Sequence, residues 1–373
     1  MRYLLTNCTI YTSNSVLHNH SVLVNGSTIE GVLPAVTEPA EIPRHDCRGG
    51  ILSPGFIDLQ LYGGGGSLFS VDPSAAALAS IRAHTLRNGT TSFLPTMPTN
   101  SAAMMQAAVA AVREAQPTMP GLLGLHLEGP YINPIKQGAH QEEFIQSPTS
   151  EAISELLTEA KGILRMMTLA PEVTPLEVIT LLRAAGVVRS AGHSNATYEQ
   201  GSEAFQQGFN AATHLFNAMS QLGSRAPGLV GAIYDADSAR ASIVADGVHC
   251  AFAAVRISKK VMGERLYLIT DAVDSSTEGA YRFRRQDNYF VDEQGTLAGS
   301  ALTMPQAVRN CVQHVGIPLA ESLRMATLYP AQVLGLDDDL GQIHPGYQAD
   351  LCLLNDQFEV QATVLKGELC WHA

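Results

Sequence analysis

Hydrophobic and polar positions change their period along this chain, and the change divides it into parts. Near the start, Leu4-Leu5-Thr6-Asn7-Cys8-Thr9-Ile10-Tyr11 and Ser21-Val22-Leu23-Val24 are short β-forming runs. Asn25-Gly26 then gives a hairpin turn into Thr28-Ile29-Glu30-Gly31-Val32. The end repeats the style. Ala349-Asp350-Leu351-Cys352-Leu353-Leu354 and Val360-Gln361-Ala362-Thr363-Val364-Leu365 flank Asn355-Asp356, and Lys366-Gly367 turns the chain into Glu368-Leu369-Cys370-Trp371. This pattern predicts one small β domain built from both termini, residues 1–50 and 346–373.

Residues 51–345 read differently. Eight short apolar runs, at 56–61, 91–95, 122–128, 164–170, 187–193, 211–215, 240–245 and 266–270, are separated mostly by alanine-rich stretches. Helices are predicted at 74–88, 101–115, 175–185 and 197–207. Strands alternating with helices give βα units on a parallel sheet, and eight units in this length match an α/β fold of the (β/α)8 TIM-barrel type. An open doubly wound sheet is the alternative. No GxGxxG follows the first strand, and Gly63-Gly64-Gly65-Gly66 lacks the helix-opening spacing.

Composition narrows the function classes. Of 373 residues, 46% are hydrophobic and 16% charged, which excludes a largely disordered chain. The net charge of −12 argues against a general nucleic-acid or anionic-membrane binder, although a local positive pocket can still take a small anion. No apolar run reaches the roughly 18 residues of a membrane span, and the N-terminus lacks a signal-peptide core. The six cysteines are scattered without a CxxC pair, which reads as reduced, mostly buried thiols in the cytoplasm.

Catalytic groups of a barrel sit at the C-terminal ends of its strands. Here those ends carry Asp58-Leu59-Gln60, His126-Leu127-Glu128, Gly192-His193, Thr213-His214, Asp246-Gly247-Val248-His249 and Thr270-Asp271. One histidine in an apolar run is more often a satisfied core residue. Two at matching ends of adjacent strands, His193 and His214, with Glu128 make a His2Glu set, a catalytic zinc pattern with open positions. On spacing alone the core and metal readings stay balanced. Asp271 is either a helix N-cap or the proton acceptor beside an activated water. Arg225 by itself reads as a solvated surface arginine, yet a barrel mouth in an acidic protein needs a cation to hold a phosphate. His249 is the second anion-binding candidate. His140 is ambiguous alone, and the remaining histidines, His126 among them, read as ordinary core or surface residues.

Taken in order, Leu52-Ser53-Pro54-Gly55-Phe56-Ile57-Asp58, Gly124-Leu125-His126-Leu127-Glu128-Gly129-Pro130, Leu169-Ala170-Pro171-Glu172, Ser190-Ala191-Gly192-His193-Ser194-Asn195-Ala196-Thr197, Thr213-His214-Leu215-Phe216-Asn217-Ala218-Met219, Ala245-Asp246-Gly247-Val248-His249, Thr270-Asp271-Ala272 and Gly295-Thr296-Leu297-Ala298-Gly299-Ser300 resemble the N-acetylglucosamine-6-phosphate deacetylase family of the amidohydrolase superfamily. The resemblance covers nearly the whole chain. It implies a barrel with a small β-sandwich from both termini, a homodimer, and release of acetate from a phosphorylated amino sugar. It implies Glu128, His193 and His214 as metal ligands, Asp271 as acid/base, and His140 as the group that polarises the acetyl carbonyl. Asn217, Ala218, Arg225 and His249 match sugar-phosphate contacts, with Arg225 aimed at the phosphate, in the same subunit or across the dimer. Asp246, Gly247, Val248, Ala139, Leu297, Ala298 and Gly299 match substrate-loop positions. Zn2+ is the first expectation for the metal, with Fe2+, Co2+ and Mn2+ as alternatives.

Two departures stand out. Gln60 occupies a position where many amidohydrolases carry a histidine of a His-x-His pair, so one metal per subunit is expected. The segment from Asp271 to Leu297 is short, with Asp274-Ser275-Ser276-Thr277 where the family tends to have an Ala/Gly-rich run. Alternative readings are the same deacetylation on N-acetylgalactosamine 6-phosphate, or a sugar-phosphate sensor without turnover. A dihydroorotase- or dipeptidase-like hydrolase would want the missing His-x-His pair.

Overall fold

Eight parallel strands lie side by side in the order Leu266–Leu268, Arg240–Ile243, Ala211–Ala212, Val188–Ala191, Leu164–Leu169, Leu125–Glu128, Thr90–Pro98 and Phe56–Leu61 in the computed structural model, which describes residues 1–371. The two outermost strands meet at the top of the barrel. There Leu61 bridges Ala272, and the Asp271 N–H donates to Gln60 O at 3.0 Å. One turn lower, the Asp58 carboxylate accepts from the Thr270 N–H (3.2 Å) and hydroxyl (2.5 Å), stapling the last strand to the first. Every residue of Phe56–Leu61 and Thr90–Pro98 is buried, as expected of parallel strands covered on both sides.

The four predicted helices form as Ala75–Arg87, Ala102–Ala115, Leu176–Ala184 and Tyr198–Gln207. Ser74 and Ser101 cap the first two by accepting from Ala77 N and Met104 N, and Thr197 with Gln200 makes a full capping box on the fourth. The strand bounds differ in a revealing way. The run at 211–215 supplies only Ala211–Ala212, and the run at 187–193 only Val188–Ala191, because His214 and His193 leave the extended region for positive φ (35° and 48°).

Both termini share a seven-stranded sheet, ordered Glu368–Trp371, Val360–Leu365, Leu351–Leu354, Arg44–Pro54, Arg2–Tyr11, Val16–Asn25 and Thr28–Pro34. It is antiparallel except where Arg2–Tyr11 runs parallel to Arg44–Pro54. Its two halves join where Leu351 faces Pro54 and Leu354 faces Ile51. A separate apolar core of Tyr3, Leu5, Ile10, Val22, Leu351 and Val364 fills it. The turns at Asn25-Gly26 and Lys366-Gly367 touch. A Cβ on Gly367 would lie 1.8 Å from Gly26 O, so only glycine fits there.

The short segment after Asp271 has structure that its sequence does not announce. Arg284–Gln286, Tyr289–Val291 and Leu297–Ser300 form a small antiparallel sheet. Val273, Tyr281, Phe283 and Phe290 pack it on Tyr62 and Leu68, and the Tyr281 hydroxyl donates to Thr99 O, so the sheet roofs one side of the barrel mouth. All six cysteines are free, with Cys370 alone exposed among them. Among the described residues, no helix is long and apolar enough to cross a membrane.

Candidate active site

The strand ends deliver the polar groups. Glu128 ends the third barrel strand, His193 and His214 follow the fifth and sixth, and Asp271 follows the eighth. All four are buried. His193, His214 and Asp271 each hold positive φ, Asp271 at 55°, a conformation disfavoured for residues with a side chain and concentrated at functional sites. Gly129 follows Glu128 at φ +86°, where a Cβ would lie 2.1 Å from Thr99 Oγ1. The chain can therefore turn away directly behind the carboxylate.

Hydrogen bonding fixes which atoms face one another. His193 Nδ1 lies 2.9 Å from Lys136 O and must donate its proton there, so Nε2 presents a lone pair. That Nε2 is 3.3 Å from Glu128 Oε1 and 3.1 Å from His214 Nε2, and His214 Nε2 is 3.0 Å from Glu128 Oε1. Burial pushes the Glu128 carboxyl up, but the charges and hydrogen bonds of His193, His140 and His214 outweigh it and hold the group well below the usual carboxylate range. Burial pushes His214 down, and Glu128 and Asp271 more than reverse this. Three potential ligand atoms thus converge where the surroundings favour positive charge. A tetrahedral ion with bonds of about 2.0–2.1 Å needs ligand edges of about 3.3–3.4 Å, and edges of 3.0, 3.1 and 3.3 Å come close to that. The donor set fits a divalent cation.

His140 belongs to the same cluster, since ligand atoms of Glu128, His140 and His193 lie within 4.8 Å of one another. Its chemistry is different. Thr99 N–H donates to His140 Nδ1 at 3.3 Å, so the proton sits on Nε2, 3.1 Å from Glu128 Oε2. Burial pushes His140 down to about 4, leaving a neutral N–H donor rather than a ligand.

Asp271 Oδ1 accepts from Gln60 Nε2 at 2.9 Å, while Oδ2 stands 3.6 Å from His249 Nε2. Burial raises Asp271, partly offset by His214 and His249. The same Gln60 Nε2 lies within reach of Glu128 Oε1 (3.0 Å) and the Tyr62 hydroxyl oxygen (2.7 Å). An amide donor thus lies between two carboxylates at the position where a histidine was missing. His126 lies below, fully buried. Its Nδ1 is 3.0 Å from Leu59 O and its Nε2 2.7 Å from Thr168 Oγ1, and burial pushes it down to about 4, so it is a core histidine as read from sequence.

One cavity collects Glu128, His140, His193, His214, Asp271 and His249. Asn217 and Ala218 line it on one side, Ala139 and Gly138 on the loop after the third strand, and Leu297 and Ala298 on the roof. Gly299 is buried behind them, and Asp246 is buried behind His249. Gly247 and Val248 point outward, and Arg225 is exposed on its loop and does not line the cavity of its own chain. No lysine or arginine is among the described residues that line it. Sequence reasoning missed Tyr62, Ser70, Tyr281 and Phe283 in the lining. Tyr62 had a signal: two residues beyond Gln60, it shares that side of the chain. The aromatic pair had none, because the roof is not a barrel element.

Comparison with known proteins agrees with this geometry. A model of the amidohydrolase family matches residues 51–370, and a model of the NagA composite domain matches residues 2–52. The chain is 38% identical over 379 residues to an N-acetylglucosamine-6-phosphate deacetylase of Haemophilus influenzae, covering 99% of both proteins. It is 34% identical to an N-acetylgalactosamine-6-phosphate deacetylase of Shewanella sp., covering 98% of this chain and 95% of that one. The crystal structure of N-acetylglucosamine-6-phosphate deacetylase from Pasteurella multocida superposes with a TM-score of 0.96 at 38% identity over 100% of both chains.

Proposed function

The chain belongs to the amidohydrolase family, within its N-acetylglucosamine-6-phosphate deacetylases, and from that premise we infer that it hydrolyses the acetamide of N-acetyl-D-glucosamine 6-phosphate to D-glucosamine 6-phosphate and acetate. One observation carries the reading: Glu128 Oε1, His193 Nε2 and His214 Nε2 converge within 3.3 Å of one another, beside a buried carboxyl, Asp271. These three residues would hold one divalent cation, Zn2+ first by donor type. Bound there, the cation supplies Lewis-acid activation of water and of the amide carbonyl.

The remaining work falls to side chains. Gln60 anchors Asp271 through Oδ1, which leaves Oδ2 to take a proton from the attacking water and return it to the sugar nitrogen as the C–N bond breaks. His140, neutral and protonated on Nε2, donates to the oxygen that gains charge; one well-placed donor contributes about 3–4 kcal/mol. Asn217, Ala218 and His249 form the sugar side of the cavity, and Ala139, Leu297 and Ala298 close over it. The Gln60 amide, donating toward both Glu128 and Asp271, stands against a second cation and supports one metal per subunit.

The phosphate needs a cation that this cavity lacks. Arg225 is exposed at the mouth, on loops that also expose Ile135 (74%), Leu222 (54%) and Val248 (40%). Exposed apolar side chains on the loops that follow the barrel strands suit contact with a second copy of the chain, and we assign Arg225 to the phosphate in the facing subunit of a homodimer. The free thiols suit a reducing compartment, the cytoplasm.

The test is acetate release from N-acetylglucosamine 6-phosphate and N-acetylgalactosamine 6-phosphate, with metal analysis of the same preparation. The gluco substrate should be preferred, at one metal per chain. Absence of acetate from both sugars would overturn the reading, and full activity in metal-free protein would overturn the metal site. A galacto preference would favour the second reading, which relatives at 34% and 32% identity support less well.

A further inference from the structure

The two oxygens of Glu128 are in different hands. Oε1 faces His193 and His214, with Gln60 Nε2 at 3.0 Å, while Oε2 lies 2.5 Å from the Tyr62 hydroxyl and 3.1 Å from His140 Nε2. The direction of the tyrosine bond is fixed from behind. Gln60 Nε2 lies 2.7 Å from the Tyr62 hydroxyl oxygen on one side, and on the other a carboxylate can only accept, so the hydroxyl hydrogen points to Glu128 Oε2.

We propose that Tyr62 is a positioning residue that keeps Glu128 monodentate: its hydroxyl occupies Oε2, so that a cation meets Oε1 alone and keeps coordination positions free for water and the substrate carbonyl. This rests on Glu128, His193 and His214 being the metal ligands. His140 cannot do the same job throughout. Its Nε2–H has a second duty at the carbonyl oxygen, and when it turns there Tyr62 is the donor left on Oε2. A carboxylate with both oxygens free can chelate one ion with both, whereas a hydrogen-bonded one is held to one. Tyr62 lines the cavity at 7% exposure, close enough to solvent that its hydroxyl could have faced water. It faces a metal ligand instead.

Tyr62→Phe in the full chain tests this with two readouts that need no turnover. Competition against a chromophoric chelator should show Zn2+ bound 10–100-fold more weakly. The Co2+-loaded variant should lose visible absorption intensity as its coordination number rises. The metal-free variant should unfold at the same midpoint as the metal-free wild type, which separates positioning from folding, and kcat for acetate release should fall with KM little changed. Wild-type affinity and spectrum in the variant would overturn the proposal. So would weaker binding that tracks a lower metal-free midpoint with an unchanged Co2+ spectrum. Failure of the wild type itself to bind metal would instead count against the ligand set.

Discussion

His249 Nδ1 lies 2.6 Å from Asp246 Oδ2, and this contact decides which nitrogen the pocket sees. Asp246 Oδ1 already accepts from Val248 N–H (2.9 Å) and His249 N–H (2.8 Å). Burial alone would raise Asp246, but the hydrogen bond and charge of His249 lower it below its ordinary value, so it is a carboxylate and the imidazole proton stays on Nδ1. An Asp246→Asn side chain must keep its oxygen on the two N–H groups and so turns its NH2 toward Nδ1. The imidazole is then forced into the other tautomer. We expect kcat/KM to fall about 10–100-fold with the metal content unchanged, because the group facing the sugar would exchange acceptor for donor. Unaltered kinetics would show that the tautomer does not matter.

Asp271→Asn keeps the hydrogen bond from Gln60 within reach but cannot take a proton. Its kcat should drop by about 10^2–10^4, the range of a lost general acid/base. Steady-state acetate release with metal quantification checks this, and near-normal turnover would remove Asp271 from the reaction.

Arg225→Ala should lower selectivity for the phosphorylated over the plain sugar. The proposed sharing of Arg225 between subunits makes a sharper demand. Mixing inactive Asp271→Asn chains with Arg225→Ala chains creates hybrid dimers in which one site has an intact Asp271 and faces an intact Arg225. Activity should exceed that of either variant alone after subunit exchange. Absence of recovery would place Arg225 in its own chain's site or outside it.

Asp350 gives a pH dependence located far from the chemistry. Buried between Lys366 N–H and Gln348 Nε2, both at 2.7 Å, it is pushed up to about 6 by burial against the partial relief of those bonds. In the unfolded chain it titrates near 4. Between about pH 4 and 6 the folded protein therefore holds a proton that the unfolded chain has released, and stability falls as pH rises through that window by up to about 3 kcal/mol, then stays level. Asp350→Asn should lose this decline. Denaturant unfolding of both proteins at pH 4.5 and 7.5 measures it, and parallel profiles would contradict the assignment.

Local patterns carried most of the fold. Ser74, Ser101 and Thr197 announce three helix starts because their side chains cap the first turns in place. Gly26 announces its hairpin because the loop Gly26-Ser27, between paired Asn25 and Thr28, holds Gly26 at φ 58°. The residue types at the strand ends were visible in the sequence, but the atoms they turn toward one another were not, since tautomers decide these: Lys136 O against His193 and Thr99 N–H against His140. Those partners sit on other loops and leave no mark in the spacing. The roof sheet was invisible for a related reason. Tyr281 and Phe283 owe their places to Tyr62 and Leu68, which lie more than two hundred positions earlier.

The terminal sheet has a consequence for how the chain is made. Ser53 and Cys352, on neighbouring strands, are 299 residues apart. During synthesis the strand Arg44–Pro54 carries an unpaired edge while the barrel residues are translated, because its partner Leu351–Leu354 follows them in the chain. Until that strand is made the sheet cannot close, and the nascent chain leaves open an edge of the kind that pairs with neighbouring chains.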